Sequence, residues 1–443
     1  MVSDARPLRD RLVADGVYTL VLRIGNMCLA AVLGIITARA LGPHGRGVVA
    51  LPMVDAALVT AAFAGLTSAT SYFMLREHAG RAVLRAGLWS IAVFVTLGAL
   101  ATVVIAVIAH HPWAALPATL SLPGTAVLML AYGYAVGTHR VRINTTLAVI
   151  NTCTVLSMTL VALFIAGRTP LAAIVAWVLA GDTLAALVLV WLYRDSRRLP
   201  SQPIALRAYA SYVMRTGTIS LVTLLNYRAD VYIVAVFTDP AMLGMYTLAV
   251  TAAETLLTAT QVSAVVTSPH VGSMERDAAA LLTARCVRHN MLIASICCGA
   301  LAFGAPFLVK ALYGAAFLPM VPALRILLIG VLALSLGSPI SSFFTLRLGR
   351  PEVVLVLASA SAVICIVTSL VLVPRIGLAG AALASTVAYL ASQGAGVLYF
   401  GVVSGIGASR LLVPERRDVG VYLAVISTLA RRLARKPVVP RSS

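Results

Sequence analysis

Apolar stretches of about the length that crosses a bilayer as a helix recur along the whole chain, separated by short polar segments. A hydrocarbon core takes about 20 consecutive apolar residues as helix. Such stretches lie at 18–38, 48–74, 88–109, 118–137, 146–166, 171–192, 218–237, 241–268, 291–313, 321–344, 353–373 and 379–403. The pattern predicts an all-α polytopic membrane protein with about twelve transmembrane helices.

A longer polar segment divides these predicted helices into two sets of six. The sequence therefore predicts an N-terminal six-helix lobe at 1–193, a cytoplasmic linker at 194–216 and a C-terminal six-helix lobe at 217–403. Residues 404–443 form a basic cytoplasmic tail, in which apolar and basic positions have the spacing of an amphipathic helix on anionic lipid.

The two predicted lobes have the pattern of a parallel repeat. Aligning Gly47 with Gly244 puts Asp55 eight residues after the first glycine and Glu254 ten residues after the second. Because six helices return the chain to its starting side, both lobes insert in the same direction, and their axis of symmetry follows the membrane normal. Two such lobes leave a central cavity.

Composition and charge agree with this picture. The chain of 443 residues is 60% hydrophobic and 11% charged, and no soluble fold needs that much apolar surface. The net charge of +19 does not indicate a nucleic-acid partner, because the arginines lie between apolar runs and not beside stacking aromatics. With both termini cytoplasmic, inner segments hold 26 of the 34 Lys and Arg residues and outer turns hold 5. This asymmetry predicts that orientation.

Ionisable residues inside the predicted spans are the candidates for function. Each costs about 2.5 to 3.5 kcal/mol at the centre of a span, so together they must face protein or water and not lipid. They are Arg23, Asp55, Asp182, Arg228, Asp230, Glu254 and Arg325.

The span at 218–237 contains the densest polar cluster. On a helix Asn226, Tyr227 and Asp230 share a face, whereas Arg228 points nearly opposite to Asp230. A guanidinium stays charged and binds phosphate through two parallel hydrogen bonds, which favours Arg23 and Arg228 as ligands of an anionic group. We predict a substrate site of Arg23, Asn226, Tyr227, Arg228 and Asp230. Pairing of the arginines with acids remains the alternative, and Tyr227 either stacks on a sugar or packs.

Two further acids, Asp55 and Glu254, either bind a coupling proton or sodium ion or pair with the arginines. The six cysteines include no C-x-x-C pair, and the chain has no nucleotide-binding loop. The sequence thus predicts no metal and no cofactor beyond an ion gradient. The pair His110 and His111, next to Pro112, is typical of a helix end at the membrane interface.

Three short motifs resemble the Wzx-type polysaccharide flippases of the multidrug/oligosaccharidyl-lipid/polysaccharide exporter superfamily. They are Arg-Ala-Leu-Gly-Pro-His-Gly-Arg-Gly at 39–47, Asn-Tyr-Arg-Ala-Asp at 226–230 with the segment 243–249 that follows it, and Val-Pro-Arg-Ile-Gly-Leu-Ala-Gly-Ala-Ala-Leu-Ala at 373–384. The resemblance covers about residues 12–403.

The resemblance implies a transporter with two six-helix lobes, similar to the multidrug and toxin extruders, and not an enzyme. Its expected cargo is an undecaprenyl-pyrophosphate-linked oligosaccharide, flipped from the inner to the outer leaflet of a bacterial plasma membrane. Expected partners are this lipid-linked oligosaccharide, membrane lipids, a polysaccharide polymerase and glycosyltransferases. In that family basic cavity residues meet the pyrophosphate, and Arg23 and Arg228 suit this role here.

Two alternatives stay open at this stage. A multidrug/cation antiporter has the same lobes, but its cationic cargo favours an acidic and aromatic pocket over buried arginines. A membrane-embedded glycosyltransferase or polymerase needs a sizeable outer loop with acids or histidines, and the predicted outer turns are short.

Overall fold

A computed structural model describes residues 5–77, 80–197, 199 and 202–413, and the regular structure of this part is helical throughout. The helices are α1 (Ala5–Glu77), α2 (Gly80–Ile108), α3 (Ala115–Gly137), α4 (Val141–Ile165), α5 (Pro170–Ser196), α6 (Leu206–Phe237), α7 (Pro240–Ser273), α8 (Arg276–Leu312), α9 (Val321–Leu334), α10 (Gly337–Ser342), α11 (Pro351–Ser404) and α12 (Ala408–Leu412). Single turns of 3₁₀-helix lie at Pro112–Ala114 and Ala315–Met320, and a π-helical turn lies at Phe343–Arg347.

Nine helical segments within these ranges are long and apolar enough to cross a membrane. Large apolar side chains are exposed along them, as on Trp89, Phe164 and Phe303, which are 63%, 90% and 89% exposed. Such surfaces need a lipid solvent. The prediction of an all-helical, multi-span membrane protein is confirmed. The predicted amphipathic tail helix lies largely beyond residue 413, outside the described residues.

Helix α1 is a hairpin. A straight helix over Tyr18–Leu75 is 58 residues, or about 87 Å, long, which far exceeds the bilayer core of about 30 Å. At Gly42 the backbone leaves the helical region, with φ 68° and ψ −179°. Tyr18 bonds Thr146 while Gly137 packs on Met74, so both ends of α1 lie at one end of the bundle. The chain therefore reverses at Gly42, within the predicted turn.

Helix α11 reverses in the same way. Ile376 and Gly377 are non-helical, with φ values of −132° and 57°. Ser392 bonds the carbonyl of Leu357, and Cys365 lies 3.7 Å from Ser385, so the two halves run antiparallel. This break also falls where the hydropathy pattern predicts a turn.

Helix α6 starts well before its apolar stretch. It begins at Leu206 and α5 ends at Ser196, so both helices enter the range predicted as linker. Helix ends are set by local capping. At the start of α5, Thr169 accepts a hydrogen bond from the Ala172 N–H, and Pro170 has no N–H that would need an acceptor.

The chain divides into two compact units. Unit 1 comprises Met1–Thr251, Ala305–Leu324 and Ala362–Ser385. One hydrophobic core of this unit joins α1 to α6 and includes Phe73, Tyr134 and Tyr209. Close helix contacts rely on glycine: a Cβ on Gly133 meets the Thr67 carbonyl at 2.5 Å, too near for any other residue.

Unit 2 comprises Ala252–Gly304, Arg325–Ser361 and Thr386–Ser443. Its core contains a cluster of aromatic rings, in which Phe343 and Phe400 lie 5.0 Å apart edge to face. Asn290 is fully buried there and donates to the Ser335 carbonyl at 3.2 Å, where the chain breaks between α9 and α10.

Unit 1 has two opposite ends, the turn face and the linker face. The turn face is the end that contains Gly42, Pro170 and Pro240, which lie together because Gly45 packs on Pro170 and Gly47 packs on Pro240. The linker face is the opposite end, where Gly80 and Arg81 contact Leu199 and Arg197.

Candidate functional site

The polar cluster on α6 separates into buried and accessible residues. Asn226 and Asp230 are buried, Arg228 is half-buried and Tyr227 is 39% exposed. The Oδ1 atom of Asn226 is buried and has no hydrogen-bond partner among the described residues. Arg228 lies nine residues, or about 14 Å, before the end of α6. The cluster therefore presents a guanidinium and a phenol at membrane depth.

Asp230 is held by three hydrogen-bond donors. The hydroxyls of Tyr246 and Ser385 donate to Oδ2, and the Val231 N–H donates to Oδ1 at 2.8 Å. A buried carboxylate needs such donors, because an unsatisfied one is very costly inside a protein. The arrangement joins α6, α7 and α11 within unit 1. Asp230 is only 2% exposed, so its role in binding substrate stays a prediction.

Asp55 contacts a residue that the sequence placed at the membrane interface. His111 is buried, and its Nε2 lies 3.9 Å from Oδ2 of Asp55, which is also buried. Neither atom has a hydrogen-bond partner in the described part of the chain. The contact joins α1 to the turn between α2 and α3.

The end of α2 explains how His111 reaches the interior. His110 has φ 61°, and its N–H bonds the carbonyl of Val107, while the His111 N–H bonds the carbonyl of Ala106. These two bonds are a Schellman motif with His110 at the left-handed position. The motif turns the chain back across the helix end, which leaves His110 exposed and His111 buried. The same motif, with His139 at φ 58°, ends α3.

Tyr232 connects the α6 cluster with Asp55. It lies one helical turn after Arg228 and interacts electrostatically with both Arg228 and Asp55. Unit 1 therefore brings two of the predicted site residues within electrostatic reach of a common phenol. Burial lowers the pKa of His111, which lies outside the membrane-spanning segments; the neighbouring His110 lowers it further, against an opposing hydrogen bond with Ala109.

The remaining predicted residues lie elsewhere. Arg23 is exposed on the first half of α1, and Glu254 is half-buried on α7 in unit 2. The assignment of Arg23, Asn226, Tyr227, Arg228 and Asp230 to substrate, and of Asp55 and Glu254 to a coupling ion or to pairing, stays a prediction.

The turn face of unit 1 is closed by backbone contact. A Cβ on Gly47 would lie 1.5 Å from the Pro240 carbonyl oxygen, and one on Gly244 would lie 2.4 Å from the Pro43 oxygen. The two glycines that the sequence analysis aligned are therefore in reciprocal contact: Gly47 of α1 lies against Pro240 of α7, and Gly244 of α7 lies against Pro43 of α1. Nearby, Arg39 donates to the carbonyls of Ala311 and Leu312 at the end of α8, where the helix dipole favours a cation.

Sequence reasoning missed His111, Tyr232, Tyr246 and Ser385. Ser385 is 155 residues from Asp230, so no spacing rule links them. Tyr246 follows Asp230 by 16 residues, across a helix break. A signal did exist for His111: it follows a helix end and stands directly before Pro112, and a residue before proline has a restricted backbone.

Comparisons with known proteins identify the family and the fold. A sequence-family model described as a polysaccharide biosynthesis protein matches residues 36–322, well over half of the chain. No curated protein sequence matches. The fold is similar to that of solved membrane transporters.

Three of these structures show the extent of the similarity. The lipid II flippase MurJ in an inward closed conformation has a TM-score of 0.72 at 13% identity, covering 95% of this chain and 100% of that chain. An inward-facing multidrug resistance MATE family transporter of the MOP superfamily scores 0.67 at 16% identity, covering 88% and 98%. A MOP superfamily transporter from Pyrococcus furiosus Vc1 scores 0.59 at 17% identity, covering 88% and 95%.

These matches confirm the resemblance inferred from the short motifs, and the fold is similar to that of solved transporters. The chain belongs to the polysaccharide biosynthesis protein family, and its multi-span helical fold is similar to that of solved MOP superfamily transporters.

Proposed function

We propose that this protein flips an undecaprenyl-pyrophosphate-linked oligosaccharide from the inner to the outer leaflet of a bacterial plasma membrane. The product serves surface polysaccharide or exopolysaccharide biosynthesis, and transport proceeds by alternating access. The observation that carries the proposal is Arg228, a half-buried guanidinium at membrane depth in a chain of the polysaccharide biosynthesis family. A pyrophosphate is the group that such a cation binds best.

The architecture supports twelve crossings with both termini cytoplasmic. Two of the nine membrane-spanning segments, α1 and α11, are hairpins, and α7 has 34 residues and covers the predicted span at 241–268. On this topology the linker face is cytoplasmic, because the positively charged segments gather there. The cargo is then loaded from the linker face and released at the turn face.

The proposed substrate site contains Arg23, Arg228 and Tyr227. The two arginines meet the pyrophosphate, and the exposed ring of Tyr227 stacks on a sugar. Asn226, whose Oδ1 atom has no partner in the described structure, supplies a neutral hydrogen-bonding group beside them. A polysaccharide polymerase and glycosyltransferases act on the same lipid-linked units and are the expected partners.

The test is complementation of a deletion strain at matched expression. The wild-type gene should restore the surface polymer and prevent accumulation of lipid-linked oligosaccharide on the inner leaflet. Arg228→Ala removes charge-assisted hydrogen bonds worth about 1.5 to 3 kcal/mol, so transport should fall roughly tenfold to hundredfold. Arg215→Ala, at an exposed position of the same helix, is the matched control and should behave as wild type.

Two outcomes contradict the proposal. If the deletion leaves the polymer intact but increases sensitivity to cationic drugs, the protein is an antiporter and not a flippase. If Arg228→Ala and Arg215→Ala transport equally well, Arg228 does not bind the cargo.

A further inference from the structure

We infer that Asp55 and His111 form a proton-binding pair in unit 1 and that, given the transport function proposed above, a proton is the ion to which transport is coupled. The proton is held between Oδ2 of Asp55 and Nε2 of His111. It comes from water at the turn face and returns to water, so no other reactant takes part.

The geometry requires one proton to satisfy both atoms. The ring of His111 donates its one N–H to the Ala109 backbone, so in the neutral form Nε2 carries no hydrogen. Without the added proton, this nitrogen and the Asp55 carboxylate oxygen face each other at 3.9 Å, both buried and both without a hydrogen-bond partner in the described structure. Two acceptors in this position are costly. One added proton lets either atom donate to the other, at a charge-assisted distance of about 2.7 to 2.9 Å. The atoms then move together by about 1 Å.

The donor set selects a proton over sodium. Hard cations such as sodium prefer several oxygen ligands, and an imidazole nitrogen suits protons and transition metals. In the described part of the chain, no group of three or more His, Cys, Asp or Glu side chains surrounds a point where a metal ion fits. One carboxylate and one imidazole are sufficient for a proton.

The surroundings of the pair give access to water and a connection to the cargo site. His110, the adjacent residue, is exposed at the turn face and interacts with His111. On α6, Tyr232 interacts with Asp55 and also with Arg228. Among the described residues, the structure shows three titratable or charged groups that interact with the pair. His110 and Tyr232 act on it directly, and Arg228 acts through Tyr232. By linkage, an anion bound at Arg228 changes the proton affinity of the pair, and the proton changes anion affinity by the same factor.

Proton binding is tested on the purified full-length protein in lipid nanodiscs, by NMR of ¹⁵N-labelled histidine during a pH titration. The His111 signal is identified by its loss in His111→Gln. Because coupled groups titrate as one unit, this signal reports the pair wherever the proton resides. In Asp55→Asn the proton affinity at His111 should fall at least about tenfold, one pH unit, since the facing carboxylate is gone.

The matched control for this measurement is His139→Asn, an exposed histidine at the same left-handed position at the end of α3. Asparagine tolerates the left-handed backbone at that position, and the His111 midpoint should stay near its wild-type value. An unchanged midpoint in Asp55→Asn, with the folded protein verified by size-exclusion chromatography, overturns the pair.

Coupling is tested in cells by following lipid-linked oligosaccharide on the inner leaflet. A protonophore should cause its accumulation in wild type, and replacing sodium with choline should not. Asp55→Asn and His111→Gln should accumulate it without the protonophore, while the control His139→Asn matches wild type. Because His111→Gln is an independent variant, a folding defect in Asp55→Asn leaves the test intact.

The two arms separate the two ideas. Accumulation on sodium removal, or normal transport in His111→Gln, overturns proton coupling while flipping stands. If wild type does not rescue the deletion strain, the proposed function fails, and the NMR titration still decides whether the pair binds a proton.

Discussion

Replacing Gly47 with alanine tests the closure of the turn face. The new Cβ would lie 1.5 Å from the Pro240 carbonyl oxygen and 2.3 Å from its carbonyl carbon. Ordinary contact requires about 3.5 Å, so the two segments must separate by about 2 Å. Both opposing atoms belong to the backbone, and no side-chain rotation relieves the overlap. Overpacking typically costs about 1 to 3 kcal/mol, and we expect the upper end of that range here.

Gly25→Ala is the matched control on the same helix. A Cβ at Gly25 meets no atom within 4 Å. Alanine is favoured over glycine inside a helix by about 0.5 to 1 kcal/mol, so this variant should be slightly more stable than wild type. The two Gly→Ala variants should therefore differ by roughly 3 to 4 kcal/mol in free energy of unfolding.

The assay is unfolding in mixed micelles, with increasing SDS content and circular dichroism as the signal. Gly47→Ala should unfold at a lower SDS fraction than wild type, and Gly25→Ala at an equal or higher fraction. Equal midpoints for the two variants would refute the reasoning, because the backbone contact would then contribute nothing to stability.

Substitutions at three further positions, Asp230, His110 and Arg39, have defined outcomes in the same assay. Asp230→Ala leaves the buried hydroxyls of Tyr246 and Ser385 without their acceptor, so the free energy of unfolding should fall by about 3 kcal/mol or more. The triple variant Asp230→Leu, Tyr246→Phe, Ser385→Ala removes the donors as well and should recover most of this stability. No recovery would refute the role of the three donors. His110→Gly should be neutral or stabilising by up to about 1 kcal/mol, because glycine accepts the left-handed backbone at this position. His110→Val should destabilise the protein, because a β-branched residue does not accept that backbone. If the valine variant were the more stable of the two, the Schellman cap would be excluded. Arg39→Gln should lower the free energy of unfolding by only about 0.5 to 1 kcal/mol, because the guanidinium that caps α8 is exposed to solvent. A loss above about 2 kcal/mol would show that Arg39 does more than cap the helix.

Hydropathy predicted the spanning segments well and the helix ends poorly. The breaks at Gly42 and at Ile376 and Gly377 fall in predicted turns, because glycine and proline interrupt the apolar pattern there. The start of α6 at Leu206 lies twelve residues before the predicted span at 218–237. Apolar composition records membrane depth, and a helix continues beyond the lipid wherever its backbone bonds are satisfied.

Side-chain partners were the part that the sequence could not provide. Insertion cost alone indicates that Asp55 and Asp230 face protein or water, but not which residues they meet. Ser385 reaches Asp230 only because α11 reverses, and His111 reaches Asp55 only because His110 adopts a left-handed backbone. Such contacts depend on tertiary geometry. The sequence immediately around each residue would look the same if the contact did not exist, so it cannot predict the contact.

The hairpin in α1 has a practical consequence for anyone who handles this protein. Helix continues on both sides of Gly42, so the reversal leaves almost no exposed chain for a protease to cut or an antibody to recognise. An epitope tag inserted there would separate Gly47 from Pro240. Reporters of topology belong instead at 202–205, just before α6, where the chain is not helical.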